Sequence, residues 1–155
     1  MITIGIGEIN TCKVPEWLVT YALGSCVGVC LYDSAMKVAG LAHVMLPQST
    51  PGSPSKRYAD VAIVNLVKEM EKKGASKIRL TAMIAGGAKM FESVSNNSIG
   101  NIGERNVEAV KEMLRQLNIR IIASDTGANY GRTVYFYPED GRLEIKTCKG
   151  VSKTI

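Results

Sequence analysis

The sequence predicts an α/β protein in which two helices cover one face of a mixed sheet or of two stacked sheets. Three observations lead to this expectation. The first half of the chain is rich in strand-like segments, two later segments carry a helical apolar stripe, and the end of the chain alternates like a hairpin. With 155 residues, 46% of them hydrophobic and 21% charged, the chain is expected to fold as a single domain over residues 1–155.

The first half of the chain predicts four strands, over residues 2–6, 17–23, 26–32 and 37–45. The third and fourth are expected to pair as a hairpin across the turn Asp33-Ser34-Ala35-Met36. A loop is expected over 47–55, because this stretch contains three prolines, one glycine and three serines. Long loops are often functional, so the whole loop 47–58, which includes Lys56 and Arg57, is a candidate for substrate contact.

Two amphipathic helices and four further strands are predicted in the second half. The first helix covers 59–73, ends at Gly74 and has an apolar stripe of Ala59, Ala62, Ile63, Leu66, Val67 and Met70. The second covers 104–117, with Asn101 as its N-cap and Glu104 reaching back to it. The remaining strands are predicted over 77–85, over 119–124 as a buried strand, and over 132–137 and 143–148.

The net charge of +5 is mild and spread along the chain, which favours acidic partners, protein or nucleic acid, without choosing between them. The aromatic residues form no RNA-binding signature, so binding to nucleic acid is not expected. The N-terminus lacks the features of a signal peptide, and no apolar run approaches the roughly 18 residues of a membrane span. A cytoplasmic protein of bacterial or archaeal origin, without membrane insertion and monomeric by default, is therefore expected.

The four cysteines, at positions 12, 26, 30 and 148, include no C-x-x-C pair and are accompanied by a single histidine. This pattern argues against a structural zinc site, which needs paired close ligands. Disulfides are not expected without secretion. Three of the four cysteines are expected to be small core residues, and no metal or cofactor is predicted.

The fourth, Cys26, is placed beside His43 by the predicted hairpin. A turn centred between Ser34 and Ala35 pairs residues whose numbers sum to 69, so Cys26 and His43 would lie opposite each other. Directly opposed residues have Cβ atoms about 4.5–5.5 Å apart. A thiol beside the one side chain that takes up a proton near neutral pH is the arrangement that a cysteine nucleophile needs.

Each residue of this pair also has a structural interpretation. Cys26 could be a buried strand cysteine and His43 a hydrogen-bonded core histidine, and a register shift of one residue would separate them. Cys30 has the same face as Cys26, would oppose Ala39 and is expected to be a core residue. Thr20, a polar residue in an apolar strand, could accept a hydrogen bond from His43 and fix the tautomer of its ring, although a locally satisfied threonine is the alternative.

The segment Gly24-Ser25-Cys26-Val27-Gly28 matches the G-x-nucleophile-x-G elbow of hydrolases, which requires a strand, a sharp turn and a helix. Because strand-like residues follow Cys26, the α/β-hydrolase interpretation is rejected. Gly24 still allows a tight bend, and the backbone N–H groups around Ser25 and Cys26 could face a developing oxyanion.

Two further motifs have structural interpretations. Gly86 and Gly87 follow a strand as in a phosphate-binding loop, but they lack the spacing of a P-loop or a dinucleotide fingerprint, so a tight turn near the sheet is expected. Arg105 and Asn106, at the start of the second helix, are expected to be structural and not catalytic.

With these residues in place, the chain resembles the CheD family, the chemoreceptor glutamine deamidases of bacterial and archaeal chemotaxis. The resemblance covers nearly the whole chain and rests on Ile4-Gly5-Ile6-Gly7-Glu8, Thr20-Tyr21-Ala22-Leu23-Gly24-Ser25-Cys26-Val27, Ala42-His43-Val44-Met45-Leu46-Pro47, Gly86-Gly87-Ala88-Lys89-Met90, Ile102-Gly103-Glu104-Arg105-Asn106, and Asp125-Thr126-Gly127 with Gly131-Arg132. The L-G-S-C and H-x-x-L-P blocks at this separation are specific. Ala128 departs from the pattern, since many relatives are expected to have a second glycine there.

The resemblance implies an α/β/β three-layer sandwich with mixed, largely antiparallel sheets and two main helices on one face. It implies that Cys26 is the catalytic cysteine, His43 the catalytic histidine and Thr20 the threonine that orients it. The implied reaction is hydrolysis of glutamine side-chain amides in methyl-accepting chemotaxis receptors, with release of ammonia and without a cofactor. The resemblance also implies binding to the phosphatase CheC, which couples receptor modification to the response regulator CheY.

Three other functions stay open at this point. The protein could act mainly as a non-catalytic regulator of CheC, or it could be another thiol hydrolase, such as a peptidase. Binding to nucleic acid, the third, is supported only by the charge of +5 and would require steeply salt-dependent binding.

Overall fold

The computed structural model of the protein describes residues 1–49, 52, 54–90, 101–147, 149, 150 and 152–155. Its strands are β1 (Ile2–Thr3), β2 (Ile9–Cys12), β3 (Leu18–Leu23), β4 (Val27–Asp33), β5 (Val38–Val44), β6 (Thr81–Gly86), β7 (Arg120–Thr126), β8 (Arg132–Phe136), β9 (Leu143–Thr147) and β10 (Ser152–Thr154). The helices are α1 (Ala59–Lys72), α2 (Ile102–Gln116) and a 3₁₀ helix, Lys77–Arg79. Part of the predicted loop 47–55, and Cys148, lie outside the described residues.

The strands form two five-stranded sheets that pack face to face. The central sheet has the strand order β2-β5-β4-β6-β7, and the outer sheet has the order β1-β3-β8-β9-β10. Each sheet has one parallel pair, β6 with β7 and β1 with β3, and its other pairs are antiparallel. Both α-helices pack on the face of the central sheet that is turned away from the outer sheet. The predicted α/β/β sandwich is therefore confirmed.

Strands β4 and β5 are buried on both faces because they lie between the helices and the outer sheet. Alternate residues of the two strands contact the helices; these are Val27, Val29, Leu31, Val38, Ala42 and Val44. The intervening residues face the outer sheet, and they include Cys30, Ala39 and Leu41. His43 lies two residues after Leu41 and therefore on the same face of β5, so its imidazole lies between the two sheets.

The β4–β5 hairpin has a register two residues away from the predicted one. Gly28, and not Cys26, lies opposite His43. The predicted pairing of Cys30 with Ala39 is wrong for the same reason. Because the shift is an even number of residues, Cys26 and His43 still belong to the same face of the sheet.

The turn of this hairpin explains the register. It contains four residues, 34–37, and Lys37 adopts the left-handed conformation with φ of 52°. One carboxylate oxygen of Asp33 accepts hydrogen bonds from the backbone N–H groups of Ala35 (3.0 Å) and Met36 (3.1 Å). The four-residue turn therefore begins and ends one residue later than predicted, which moves its centre by one residue and the partner of each residue in the ladder by two.

Asp33 also joins this turn to the chain after α1. Its carboxylate accepts a hydrogen bond from the Ser76 backbone N–H (2.8 Å) and forms an ion pair with Arg79 (2.9 Å). Burial alone would raise the pKa of Asp33, but the bonds from Arg79 and from backbone N–H groups lower it to about 2. The carboxylate is therefore charged, buried and fully paired at neutral pH.

An Asp33→Ala variant is expected to lose about 3 kcal/mol of unfolding free energy, because it removes the buried carboxylate that holds the turn and pairs with Arg79. Urea denaturation measures this loss. Since the pKa of Asp33 is lowered in the folded protein, the difference from the parent should shrink as the pH falls from about 4 toward 2. An Asp140→Ala variant, which removes a half-exposed ion pair with Arg142, is the control and is expected to change little. Equal losses in both variants would contradict the prediction.

Several smaller elements differ from the sequence prediction. Strand β1 is shorter than residues 2–6, and β2 and β10 were not predicted. The start of the predicted strand 77–85 is the 3₁₀ helix, and Asn101 makes no side-chain cap bond at the start of α2. Strand β7 alternates between exposed and half-buried residues, and is not buried throughout, because it is the edge of the central sheet.

Neither described α-helix has the length and apolar character needed to span a membrane.

Candidate active site

A hydrogen bond between Thr20 and His43 connects the two sheets. Thr20 lies on β3 of the outer sheet and His43 on β5 of the central sheet, and the Thr20 Oγ1 is 2.7 Å from the His43 Nδ1. Both residues are buried, with exposed fractions of 0% and 1%. The predicted contact between them is therefore present in the fold.

The hydrogen bonds of Thr20 determine the tautomer of the imidazole. The Thr20 hydroxyl donates its single proton to the carbonyl oxygen of Ile4, at 2.6 Å. It can therefore only accept a hydrogen bond from His43, so the proton of the neutral ring resides on Nδ1. The lone pair of the ring is then on Nε2.

The His43 Nε2 is buried and has no hydrogen-bond partner among the described residues. Burial lowers the pKa of His43 from 6.5 to about 4, although the negative charge of Glu8 acts in the opposite direction. The imidazole is therefore neutral at pH 7, and its Nε2 is a free proton acceptor.

Cys26 lies directly before β4, and its side chain packs against the apolar cluster between the sheets. It is partly exposed, whereas Cys12 and Cys30 are buried; all three are free thiols. Gly28 pairs directly with His43, and Cys26 lies two residues before Gly28. Cys26 is therefore a diagonal neighbour of His43, and the Cβ atoms of such neighbours are about 7 Å apart. No hydrogen bond joins the Cys26 thiol to His43 within the described residues.

The Cys26 thiol is protonated in this state. Burial raises its pKa above the ordinary value of 9.0, although a hydrogen bond from its own backbone N–H acts in the opposite direction. A protonated thiol and a neutral imidazole in one layer require that the proton moves when the thiol reacts.

The segment 24–26 is held through its carbonyl groups. The backbone N–H groups of Ala88 and Gly87 donate to the carbonyl oxygens of Gly24 (2.9 Å) and Cys26 (2.8 Å). The carbonyl of Ser25 accepts from a side chain on α2, at 3.0 Å. These bonds fix the peptide planes that carry the N–H groups of Ser25 and Cys26, which are the groups that an oxyanion site at this position would use.

The turn after β6 is what allows this anchoring. Gly86 has φ of +111°, and a Cβ at this position would lie 2.3 Å from the Cys26 carbonyl oxygen. No other residue fits there, since both the conformation and the close approach exclude a side chain. The sequence expectation of a tight turn near the sheet is therefore confirmed, and the turn supports the cysteine loop.

Three contributors to the site were not assigned to it from the sequence. Ile4 acts through its carbonyl, Gly86 through its missing side chain, and Asn106 through a side chain that comes from α2. The family blocks that contain them were visible in the sequence. Their contacts were not, because each depends on packing between segments distant in the chain.

Two partly exposed methionines border the cysteine loop. Met90 contacts Gly24, since a Cβ built there would lie 3.1 Å from the Met90 Cγ. Met45 directly follows β5, two residues after His43. Their exposed fractions are 45% and 38%. Exposed methionines adapt to irregular apolar surfaces, which suits contact with a protein substrate.

A buried neutral imidazole with a free Nε2, in the same layer as a partly exposed thiol, is an arrangement that a thiol nucleophile could use. Comparison with known proteins gives the family. The family described as CheD chemotactic sensory transduction matches residues 45–147. The chain belongs to the CheD family.

Full-length relatives support this membership. A protein of Caldanaerobacter subterraneus subsp. tengcongensis, named probable chemoreceptor glutamine deamidase CheD, is 51% identical over 150 residues, which cover 95% of this chain and 93% of the relative. The chemoreceptor glutamine deamidase CheD of Halalkalibacterium halodurans is 46% identical, with 100% and 98% covered. A probable chemoreceptor glutamine deamidase CheD from the archaeon Archaeoglobus fulgidus is 45% identical, with 96% and 94% covered.

Proposed function

We propose that this protein is a chemoreceptor glutamine deamidase, a protein-glutamine glutaminase that hydrolyses specific glutamine side chains of methyl-accepting chemotaxis receptors. The observation that carries the proposal is its high identity, over nearly the whole chain, to relatives that bear this name. The free Nε2 of His43, in one layer with the Cys26 thiol, supports a Cys–His mechanism.

The first half of the reaction forms a thioester. The Cys26 thiol passes its proton to the His43 Nε2 while Sγ attacks the carboxamide carbon of the glutamine. The carbonyl oxygen becomes an oxyanion, which the backbone N–H groups of Ser25 and Cys26 stabilise at the bend that begins at Gly24. The imidazolium then gives its proton to the amide nitrogen, the C–N bond breaks, and ammonia leaves.

The second half uses the same groups in the opposite order. The His43 Nε2 takes a proton from a water molecule as its oxygen attacks the thioester carbon. The C–S bond breaks, the proton returns to Sγ, and glutamate is released. Thr20 keeps Nδ1 protonated throughout, so that Nε2 is always the atom that exchanges the proton.

We propose that CheC is a binding partner, as the family resemblance implies, and that the protein acts as a cytoplasmic monomer. The apolar rim of Met45 and Met90 around the cysteine loop supports contact with protein surfaces. A Cys26→Ala variant should keep CheC binding while it loses deamidation. Loss of CheC binding alone, with ammonia release intact, would instead favour a protein that is mainly a regulator of CheC.

The test is incubation of the protein with the cytoplasmic fragment of a methyl-accepting chemoreceptor, followed by intact-mass and peptide mass spectrometry. Each converted glutamine should add about 1 Da without chain cleavage, and ammonia should be released in equal amount. Cleavage of the fragment would identify a peptidase. Cys26→Ala is the matched control and should leave the receptor mass unchanged. An unchanged receptor mass with the parent protein as well would overturn the proposal.

A Thr20→Val variant is expected to reduce kcat by about 10- to 100-fold. The His43 imidazole loses the hydrogen bond that fixes its tautomer, which contributes about 1–3 kcal/mol. Valine keeps the shape of threonine but leaves both the His43 Nδ1 and the Ile4 carbonyl without a partner. Steady-state ammonia release measures the effect. Thr20→Ser, which restores the hydroxyl, is the control and should recover most of the turnover; equal loss in both variants would contradict this role.

A further inference from the structure

One buried side chain joins the two segments that carry the candidate catalytic residues. Asn106 lies on the first turns of α2 and has an exposed fraction of 0%. Its Nδ2 donates one hydrogen bond to the carbonyl of Ser25 and one to the carbonyl of Met45, both at 3.0 Å. Ser25 directly precedes Cys26, and Met45 is the second residue after His43. The amide therefore bridges the start of β4 and the end of β5.

The orientation of this amide is determined by its partners. The Oδ1 of Asn106 is buried and has no hydrogen-bond partner among the described residues. Turning the amide over would place this oxygen against two carbonyl oxygens, which is unfavourable. Both amide protons are thus committed to the bridge.

The bridge begins where the β4–β5 ladder ends. Val27 and Val44 are the last directly paired residues at this end of the hairpin. Beyond them each segment bonds to a different part of the chain, since the Cys26 carbonyl accepts from Gly87 and the Met45 N–H donates to Arg57. A direct connection between the Cys26 and Met45 segments therefore has to come from a side chain. Asn106 supplies that connection from a helix.

The start of α2 is itself held against the turn that anchors the cysteine loop. A Cβ on Gly103 would lie 2.4 Å from the carbonyl oxygen of Ala88, so only glycine allows this approach. Ala88 in turn donates its N–H to the Gly24 carbonyl. Asn106 is therefore placed by the same turn that holds the segment it contacts.

We propose that Asn106 is a positioning residue, which keeps the Cys26 thiol and the His43 imidazole at the separation that proton transfer requires. It touches neither reacting group and acts through the two backbone segments. The proposal rests on the proposed deamidase function for its kinetic effect. A misplacement of about 1 Å at a reacting group can reduce the rate by about 100-fold.

The test compares two variants, Asn106→Asp and Asn106→Ser, with the parent protein. The first keeps the volume but removes both donors, and the second cannot span both carbonyls. Three quantities are measured: kcat and KM for a receptor fragment, the melting temperature, and the rate of alkylation of Cys26 by iodoacetamide from pH 6 to 10, followed by peptide mass spectrometry. Assays are run well below the melting temperature of each variant.

We expect kcat to fall by about 10- to 100-fold in both variants with KM nearly unchanged. Alkylation of Cys26 should become faster at each pH, because the released segment exposes the thiol. Val110→Ala is the matched control, since Val110 is fully buried on the same helix, away from the two carbonyls. It should lower the melting temperature and leave kcat and the alkylation rate unchanged.

Two results would overturn the proposal. One is an Asn106→Asp variant with the kcat and alkylation profile of the parent; the other is a Val110→Ala variant that loses as much turnover for the same loss of stability. The alkylation comparison needs no substrate. If the parent protein deamidates no receptor, the proposed function fails while the alkylation rates still test the role of Asn106.

Discussion

A Cys26→Ser variant is expected to lose deamidase turnover by about 10³-fold or more. The hydroxyl is a much weaker acid than the thiol, and the thiolate is the nucleophile that the proposed first step needs. In serine hydrolases, a buried carboxylate stabilises the imidazolium that forms when the hydroxyl is deprotonated. Here the partner of His43 is the neutral hydroxyl of Thr20, so this site lacks that compensation.

The same variant is expected to keep its fold and to change its stability by no more than about 1 kcal/mol. The Cys26 side chain is partly exposed at the edge of the apolar cluster between the sheets. Its loop is held by bonds to the carbonyls of Gly24, Ser25 and Cys26, which the substitution leaves intact.

Cys30→Ala is the matched control for this prediction. Cys30 lies on the same face of the same segment but is fully buried, and burial raises its pKa strongly. Its variant should lose stability and retain turnover. Ammonia release and the intact mass of the receptor fragment measure both cases, and a Cys26→Ser protein with substantial turnover would contradict the thiol mechanism.

A His43→Gln variant is expected to reduce kcat by about 10²- to 10⁴-fold, the usual contribution of a general acid–base. The glutamine amide can still form a hydrogen bond with Thr20 across the sheets. The fall in kcat therefore measures the missing proton acceptor more than a loss of packing. Burial lowers the pKa of His43 to about 4, so the base form persists through neutral pH and is lost only when the pH falls toward that value. In the parent protein, kcat/KM should therefore rise with pH through about 4 and not through 6.5.

The pH dependence also separates two starting states of the pair. If the thiol and the imidazole are both neutral at rest, the midpoint of Cys26 alkylation with pH should be nearly the same in the parent and in His43→Gln. A preformed thiolate–imidazolium pair would instead give a low midpoint in the parent that rises in the variant. Such a rise, or an acid limb of kcat/KM that survives in His43→Gln, would contradict the proposed proton path.

The helices could be predicted because their apolar stripes depend on local periodicity, whereas the three-layer order was implied by the family resemblance. The apolar stripe of α1 recurs with the helical period, and the six residues that define it in the sequence are its buried residues. Strands β4 and β5 were found from their apolar content. The short strand β2 was not, since its four residues, Ile9–Cys12, include polar Asn10 and Thr11, and pairing with β5 alone makes it a strand.

The register of the β4–β5 hairpin could not be predicted by counting residues along the chain. The turn was predicted one residue too early, because the left-handed Lys37 belongs to it and the carboxylate of Asp33 caps its start. The face of each residue was still predicted correctly, since a shift of two preserves the alternation. Cys26 and His43 are thus neighbours along a diagonal and not a directly opposed pair.

The sequence by itself determined the fold class, the faces of β4 and β5, the family and the residue types available for thiol chemistry, because periodicity and short motifs are local properties of a chain. Only the tertiary structure decided that Thr20 donates to Ile4 and thereby leaves Nε2 of His43 free. It alone brought Asn106 from α2 to the two carbonyls that flank the site. These contacts join residues far apart in the chain, and their geometry follows from how the two sheets and the helix pack, which no spacing along the sequence encodes.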